Sequence, residues 1–349
     1  LGENGVAVTV VAMDTGIKDP AIVFNTWITT HYGKVIYITT PSVNRPVKYI
    51  KITIAQLKET DIVHLNSVFA PSSFIIGLVA LLKGKKILWS PRGEFDPQAL
   101  RFKKPLKKIM LALLRPFKKH IRFHTTSTQE TAHTQSLMQT NLPVLQLPNY
   151  MDLPPYQPVT KQPYLLYIGR IHPIKALEAL IEACSLSEAF LNGPYQLFIT
   201  GDSNNEYGDL LKRKVKAYQL EKKVLFMEHV ADVAKKNKLF AEAAFTILPS
   251  HSENFGNVVV ESLANGTPVI ASTGTPWQEL ETTKAGFWVK NDPASLAIAL
   301  TAVTGMKEDE LNTYASNALQ LAKNNYDMEA NISKWIDGYK SLLNTHAAL

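Results

Sequence analysis

Two short segments of the chain carry charged residues and glycines at spacings that suit a phosphate-bearing ligand. The first reads Gly169-Arg170-Ile171-His172-Pro173-Ile174-Lys175 and follows an apolar run that we predict to be a buried strand. In an open parallel sheet, ligands bind beyond the carboxyl ends of the strands, where helix N-termini attract anions. Gly169 lets the backbone approach closely, and Arg170 and Lys175 add two cations beside the helix dipole. This cluster suits a diphosphate.

The second segment, residues 250–264, contains two carboxylates, Glu253 and Glu261, that lie eight residues apart. We predict a helix over 257–264, which places the two carboxylates roughly 10–12 Å apart if most of the gap is helical. That distance is too large for a carboxylate pair flanking one glycosidic bond, but it matches the two ends of an extended ligand. One carboxylate would then hold sugar hydroxyls and the other ribose hydroxyls. Backbone amides that could face phosphate lie between them, at Phe255, Gly256 and Asn257.

Each segment also has a plainer interpretation. Arg170 and Lys175 could serve only solubility, while Glu253 could complement a helix N-terminus and Glu261 could pair with a neighbouring cation. The sequence Gly266-Thr267-Pro268-Val269-Ile270-Ala271-Ser272, which follows the second segment, makes a ligand site the more specific interpretation. The chain contains neither a G-x4-G-K-S/T phosphate loop nor an Asp-x-Asp motif.

The elements that must position these residues alternate between short apolar runs and stretches with helical periodicity. This alternation predicts two α/β domains with parallel sheets. The predicted strands are 6–12, 35–39, 62–66, 86–90, 122–127, 144–147, 164–168, 196–200, 224–227, 245–248, 268–271 and 287–289. The predicted helices are 73–82, 104–117, 174–184, 207–218, 233–242, 257–264, 309–324 and 328–343. A proline-rich stretch between Pro148 and Pro163 reads as the linker between the domains.

Composition narrows the function classes. The chain has 349 residues, 46% hydrophobic and 19% charged, and this describes a folded protein rather than a disordered one. A single cysteine, Cys184, excludes a disulfide framework and a thiolate metal cage. The net charge is +7, but residues 83–122 alone contain thirteen Lys or Arg and two acids. Within that window, apolar residues recur at helical spacing between the cations, which indicates a basic amphipathic helix.

With these residues in hand, the chain resembles the retaining nucleotide-sugar glycosyltransferases of the group-1 type (family 4). The C-terminal motifs that carry the resemblance are Gly169-Arg170 with Lys175, Gly201-Asp202, Pro249-Ser250, Glu253-x7-Glu261 and Gly266-Thr267-Pro268-Val269. The N-terminal ones are His64-Leu65-Asn66, Ser90-Pro91-Arg92-Gly93-Glu94, His124-Thr125-Thr126-Ser127 and Pro148-Asn149. Thr275-Pro276-Trp277 and Gly286-Phe287-Trp288 resemble the members that build bacterial surface polysaccharides.

The resemblance implies the GT-B fold, an α/β architecture of two Rossmann-like parallel-sheet domains facing across a cleft. Residues 1–155 would form the acceptor-binding domain, although its first strand–loop–helix unit is expected to be missing before Leu1. Residues 156–327 would form the nucleotide-sugar-binding domain. Residues 328–349 would form a helix that crosses back to the first domain, burying the apolar stripe made by Trp335, Ile336, Tyr339, Leu342 and Leu343.

The same resemblance implies roles for individual residues. Arg170, Lys175 and Glu253 would be catalytic, the two cations neutralising the leaving diphosphate and Glu253 contacting the transferred sugar. The donor would be held by Gly169, Asn254, Phe255, Gly256, Asn257 and Glu261. The acceptor side would comprise Arg92, Gly93, Glu94 and His124. Many relatives have His where this chain has Arg92, and arginine cannot act as a base, so Arg92 would bind phosphate or acceptor.

The resemblance further implies a UDP-sugar or GDP-sugar donor, with neither a cofactor nor a metal. The acceptor would be a glycan or a lipid-linked acceptor used in capsule, exopolysaccharide or lipopolysaccharide synthesis. The basic segment 101–122 would hold the protein on an anionic membrane, which implies a cytoplasmic protein peripheral to the inner face. Two other classes stay open: a nucleotide-sugar 2-epimerase of the same architecture, and a non-catalytic phosphate-binding protein. Nucleic acid is not expected as a partner.

Overall fold

The computed structural model of the chain describes residues 1–17, 22–40, 46–100, 104–139, 141 and 143–344. The chain divides into two compact units. One consists of Leu1–Pro148 together with Ile332–Leu349, and the other of Asn149–Asn331. The first unit is therefore built from two stretches of sequence that are separated by the whole of the second.

The described part of the first unit contains two sheets. Its strands are β1 (Thr9–Met13), β2 (Ile28–Thr30), β3 (Gly33–Ile38), β4 (Ile62–Asn66), β5 (Lys86–Ser90), β6 (Ile121–Thr125) and β7 (Leu145–Gln146). One sheet has the order β1-β3-β2, and the other has the order β4-β5-β6-β7 with all strands parallel. Strand β2 was not predicted; it is three residues long and pairs antiparallel with β3 in a hairpin.

Most helices of the first unit pack on one face of the β4–β7 sheet. The helices are α1 (Val47–Gln56), α2 (Pro71–Leu82), α3 (Pro97–Leu100), α4 (Lys104–Leu114) and α5 (Thr128–Met138). Side chains alternate along each strand, so Val63, Ile87 and Trp89 enter this core while their neighbours point to the opposite face. Helix α5 was missed from the sequence, although Ser127 and Glu130 form a capping pair that announces its start.

Helix α4 buries only part of the apolar stripe that its sequence suggests, which comprises Phe102, Leu106, Ile109, Met110, Leu113 and Phe117. The residues that pack into the core are Met110, Leu111 and Leu114. Three members of the predicted apolar stripe, Leu106, Ile109 and Leu113, are exposed on the surface. The helix ends at Leu114 and continues as a tight 3-10 turn over Arg115–His120. The first three residues of the predicted basic segment, 101–103, lie outside the described residues.

The second unit contains a six-stranded parallel sheet with helices on both faces. Its strands are β8 (Gln162–Ile168), β9 (Gln196–Thr200), β10 (Val224–Met227), β11 (Ala243–Leu248), β12 (Val269–Ser272) and β13 (Gly286–Val289). Their order in the sheet is β10-β9-β8-β11-β12-β13. The order reverses between β8 and β11, and such a topological switch point is where doubly wound sheets bind ligands.

The helices of the second unit follow the predicted alternation with one long omission. They are α6 (Leu177–Leu186), α7 (Glu188–Asn192), α8 (Glu206–Ala217), α9 (Val233–Glu242), α10 (Asn257–Ala264), α11 (Glu279–Thr282), α12 (Pro293–Thr304) and α13 (Glu308–Asn325). Helix α12 was not predicted, because it is apolar nearly all round and lacks a clear polar face. It packs on α6 through Leu296 and Leu300, which lie in the same core as Leu180. The only cysteine of the sequence, Cys184, is buried there as a free thiol.

A last helix, α14 (Met328–Asn344), returns the chain to the first unit. Trp335 packs against His124 with ring centroids 4.6 Å apart and against His64 at 5.6 Å. Gly338 lies directly against Leu145 of β7, where a Cβ atom would approach a leucine methyl to 2.8 Å. The predicted return of the C-terminal helix to the first domain is therefore confirmed.

Candidate functional site

Both chemistry-bearing segments lie at the switch point of the second sheet. The turn 169–175 follows β8, and the loop 249–256 follows β11, which are neighbours in the sheet. Because the strands are parallel, their carboxyl ends meet at one edge, and this brings together residues that are about eighty positions apart in sequence, as Lys175 and Glu253 show.

The turn after β8 is held by hydrogen bonds to its backbone. The Tyr167 hydroxyl donates to the carbonyl oxygen of Arg170 at 2.7 Å, and Gly169 N–H donates to the Thr200 carbonyl at 3.0 Å. Gly201 makes this approach possible, because a Cβ atom there would lie 2.2 Å from the Gly169 oxygen. The turn does not run straight into a helix as predicted. A 3-10 turn over Pro173–Lys175 intervenes, and α6 begins only after Ala176, which has a φ of 52°.

A cavity of about 740 Å³ lies at this edge of the sheet. Three of the predicted residues line it: Gly169, Arg170 and Glu261. The sequence analysis missed or left unassigned others, namely His172, Asn205, His229, Val230, Ala231 and Lys236. Asn205 and residues 229–231 lie in the loops that follow β9 and β10. Their position just beyond a strand end is the signal in the sequence that could have identified them.

Glu261 is paired within this cavity. Lys236 Nζ on α9 lies 2.7 Å from its Oε1, and both side chains are only partly exposed. Glu261 therefore has the neighbouring cation that the plainer interpretation predicts, and it also lines the cavity. A carboxylate whose cation stands beside it can accept a hydrogen bond from a ligand hydroxyl without carrying an uncompensated charge.

Lys175 is arranged differently from Arg170. Its Nζ contacts Glu253 Oε1, which also accepts a hydrogen bond from the Ser250 hydroxyl at 2.8 Å. The side chains of Lys175 and Glu253 are each 14% exposed. Neither is among the residues that line the cavity. Of the two cations predicted for the diphosphate, Arg170 lines the cavity, whereas Lys175 forms an ion pair with Glu253. A carboxylate that is largely buried needs such a partner.

We expect this ion pair to show strong energetic coupling. Lys175→Met and Glu253→Gln should each lower the free energy of unfolding, and the double variant should lose less than the sum of the two. The coupling in a double-mutant cycle should lie at about 0.5–3 kcal/mol, as for residues in one polar network. Urea unfolding of the four proteins measures it, and the more exposed pair Lys238 and Glu242 offers a matched cycle with weak coupling.

The loop between the two carboxylates is shaped by one glycine and one tryptophan. Gly256 adopts a φ of 85°, which glycine tolerates and side-chain-bearing residues avoid, and helix α10 starts at the next residue. The buried Trp277 donates its indole N–H to the Phe255 carbonyl at 2.5 Å. The side chain of Asn257, the first residue of α10, accepts a hydrogen bond from Asn149 at 2.8 Å. These contacts aim the helix N-terminus at the carboxyl edge of the sheet.

The predicted acceptor-side residues lie in the first unit, at the carboxyl ends of β4, β5 and β6. Arg92 has a left-handed φ of 55° and donates from Nε to Asn66 Oδ1 at 2.9 Å. Gly93 N–H donates to Glu130 at 2.8 Å. The Glu94 carboxylate accepts hydrogen bonds from the Ser67 hydroxyl and from the backbone N–H groups of Val68 and Phe69. Glu94 is thus committed to shaping the loop, while Arg92 remains at the surface.

His124, also predicted on the acceptor side, is buried beneath α14. It is 1% exposed and belongs to a hydrogen-bonded row that also contains His64, Ser90 and Tyr339. Its Nε2 lies 3.0 Å from the Leu147 carbonyl, which can only accept, so this nitrogen carries the proton. The row then has one direction: Tyr339 donates to His64, His64 to Ser90, and Ser90 to His124 Nδ1.

Burial keeps both histidines of this row neutral. It lowers the pKa of His64 to about 3, with smaller contributions from His124 and Arg92, and lowers the pKa of His124 to about 4. Burial also raises the pKa of Tyr339 to about 12, so its hydroxyl remains a donor. The row therefore fastens α14 to the sheet.

Among the described residues, no group of three histidine, cysteine or acidic side chains is arranged to hold a metal ion. Within the same part of the chain, no helix combines the length and apolar character needed to cross a bilayer.

Comparison with known proteins finds similarity over part of the chain. Residues 153–320 match the model described as "Glycosyl transferases group 1". A D-inositol 3-phosphate glycosyltransferase from Geodermatophilus obscurus is 30% identical over 154 residues, which cover 41% of this chain and 34% of the relative. The chain thus aligns with about a third of the length of such curated relatives.

Solved structures share the fold over nearly the whole chain. A sucrose-phosphate synthase from Thermosynechococcus elongatus matches with a TM-score of 0.71 and 20% identity, covering 94% of this chain and 88% of the other. HepE from Anabaena, in complex with UDP and glucose, matches with a TM-score of 0.69 and 18% identity, covering 89% and 87%. The chain therefore has the GT-B fold, and residues 153–320 of its second unit match the group-1 glycosyl transferase model.

Proposed function

We propose that this protein transfers a sugar from a nucleoside-diphosphate sugar, with retention of anomeric configuration, to a glycan or lipid-linked acceptor of a bacterial surface polysaccharide. The observation that carries the proposal is the cavity at the β8–β11 switch point, which Arg170 and the Lys236–Glu261 pair line together. The match of residues 153–320 to the group-1 glycosyltransferases and the complex of HepE with UDP and glucose support the same ligand class.

The residues of the second unit divide the donor between them. Arg170 would neutralise the diphosphate as it leaves, and the N-terminus of α10 would add its dipole without any reorganisation. Glu261 would accept hydrogen bonds from the ribose hydroxyls. Glu253 would do the same for hydroxyls of the transferred sugar, with Lys175 holding its carboxylate in place. The leaving phosphate would take the acceptor proton, so no protein base is required, and no cofactor or metal enters the scheme.

A panel of nucleotide sugars tests this proposal directly. The protein is incubated with UDP-sugars and GDP-sugars, with and without an extract of lipid-linked glycans, and released nucleoside diphosphate is measured. We expect release with one donor class, and thermal stabilisation by the same donor through mass action. Binding without release would identify a non-catalytic phosphate-binding protein. An epimerised nucleotide sugar, with no net release of nucleoside diphosphate, would identify a 2-epimerase.

Replacing Glu261 tests the ribose contact. Glu261→Gln should weaken nucleotide affinity by about 10–100-fold, because a hydrogen bond to a charged group contributes about 1.5–3 kcal/mol. Isothermal titration with the nucleoside diphosphate measures this change. Glu242→Gln is the matched control, since Glu242 also pairs with a lysine of α9 but does not line the cavity. Equal affinities for the wild type and the Glu261 variant would remove Glu261 from the site.

We further propose that the protein works at an anionic membrane surface, on which a lipid-linked acceptor would be presented. Helix α4 supports this, because Leu106, Ile109 and Leu113 are exposed on a helix whose sequence also contains several lysines. An exposed apolar face flanked by cations is the form that interfacial helices take.

Vesicle sedimentation measures this attachment. We expect binding to phosphatidylglycerol vesicles that falls as salt rises, and weak binding to phosphatidylcholine vesicles. Ile109 and Leu113 are exposed, so Ile109→Ser together with Leu113→Ser should reduce binding without unfolding the unit. The matched control is Val233→Ser with Ile298→Ser, two similarly exposed apolar residues of the second unit. Binding that ignores lipid charge, salt and the α4 variant would contradict the proposal.

A further inference from the structure

A second cavity lies in the first unit, at the amino ends of its parallel strands. Its volume is about 410 Å³, and it is lined by residues that begin β5 and β6 together with the ends of α2 and α14. Arg92 and His124 lie at the carboxyl ends of these strands. Strands of five residues span roughly 16 Å, so this cavity is at the opposite edge of the sheet from the predicted acceptor side.

The charge of this cavity is entirely of one sign. Four cations line it, Lys85, Lys86, Lys119 and Arg122, with His120 beside them. Among the described residues that line it there is no acidic side chain. The four cations come from two separate stretches of sequence, around the first residues of β5 and of β6, which the β5–β6 pairing brings together. Cations gathered in a concave site focus a positive field, which an anion relieves on binding.

The rest of the cavity is apolar. Leu81 at the end of α2 and Leu342 at the end of α14 form its walls. The neighbouring residues in sequence, Leu82 and Leu343, are 81% and 49% exposed. A free phosphate would contact the cations alone, whereas the cavity also presents the apolar side chains of Leu81 and Leu342 to a ligand. A ligand that carries both an anionic group and a hydrocarbon chain would use both parts.

We propose that this cavity binds an anionic phospholipid, with the phosphate among Lys85, Lys119 and Arg122 and the acyl chain against Leu81 and Leu342. This site is separate from the donor site and from the exposed face of α4, and it does not depend on the proposed transfer reaction. It gives the first unit a saturable lipid site, in addition to any general attraction between a basic surface and a bilayer.

A soluble lipid separates this pocket from general surface attraction. Dihexanoyl phosphatidic acid, used below its micelle concentration, should bind the full-length protein saturably in isothermal titration. Lys85→Ala with Lys119→Ala should weaken that binding by about 30-fold, since each cation near an anionic lipid contributes about 1 kcal/mol. Lys83→Ala with Lys108→Ala is the matched control, because it removes two cations of the same basic window that do not line the cavity. We expect that control to leave the affinity unchanged.

Two further ligands decide what the pocket recognises. Inorganic phosphate should bind much more weakly than the short-chain lipid, and dihexanoyl phosphatidylcholine should also bind weakly. Leu81→Ala with Leu342→Ala, which shortens the two leucines that line the cavity, should weaken the binding of phosphatidic acid and leave phosphate binding unchanged. Leu82→Ala with Leu343→Ala, at neighbouring positions that do not line it, should change neither. Equal binding of phosphate and lipid, no saturable binding, or equal loss in both lysine variants would each overturn the proposal. Donor affinity in the lysine variants, measured alongside, should equal that of the wild type, so failure of this site is distinct from failure of the donor site.

Discussion

Arg170→Ala is expected to lower kcat for sugar transfer by about 10²–10³-fold, as is found when one preorganised charge-stabilising donor is removed. Arg170 is exposed and lines the cavity, while Lys175, the other predicted cation of this turn, is occupied with Glu253. Arg170 would therefore provide most of the stabilisation of the negative charge that develops on the leaving diphosphate. The rate is measured under saturating donor, with nucleoside diphosphate release as the readout.

Two variants sharpen this result. Arg170→Lys keeps a charge but loses the two-pronged geometry, so it should recover part of kcat. Arg213→Ala removes an exposed arginine from α8 of the same unit and should leave kcat unchanged. An Arg170→Ala protein that folds, binds donor and turns over at the wild-type rate would place the leaving-group charge elsewhere.

Lowering the pH from about 6.5 to 5 should destabilise the first unit by about 2–4 kcal/mol, since one pKa unit is worth about 1.4 kcal/mol per group. The pKa values of His64 and His124 in the folded protein, about 3 and about 4, lie below the ordinary value of 6.5. The unfolded chain therefore takes up protons first as the pH falls. The stability that neutral histidines contribute is fully present above pH 6.5 and is lost progressively below it.

Urea denaturation with pulsed hydrogen-exchange mass spectrometry, read on peptides of β4–β6, measures this loss. His64→Gln retains a donor and an acceptor but does not titrate, so its stability should vary less with pH. His31→Gln alters an exposed histidine of the same unit and should follow the wild type. A first unit as stable at pH 5 as at pH 7 would show that neither histidine needs to stay neutral.

Local patterns in the sequence located most of the fold. Strands β4, β5, β9 and β10 and helices α9 and α10 have the predicted bounds, because runs of buried residues and helical periodicity are properties of short segments. Helix α12 escaped because its residues are apolar on nearly every side, and β2 escaped because three residues carry no periodicity. Helix α4 shows a further limit: periodicity revealed that it is amphipathic, but not which of its apolar residues the core would cover.

The candidate site was predictable as a location more than as a set of contacts. Strand ends and glycine turns pointed to Arg170 and Glu261, both of which line the cavity. The partners of Glu261 and Lys175 depend on which distant segments the sheet order brings together, and a single sequence does not encode this in any local pattern. The burial of His124 could not be predicted for the same reason, since the helix that covers it lies far along the chain. His64 and Tyr339 are 275 positions apart.

That separation governs the order in which the molecule can be completed during synthesis. The ribosome makes the whole of Asn149–Asn331 between the sheet of the first unit and the helix that covers it, which takes roughly 10–40 s at about 5–20 residues per second. Throughout that interval the face of β4–β6 that bears His64, Ser90 and His124 faces water. Histidine and serine hydrate readily, whereas an apolar face of the same size would invite nascent chains to associate. The polar face that the sheet presents to α14 therefore allows a partly synthesised protein to remain soluble until its last helix is made.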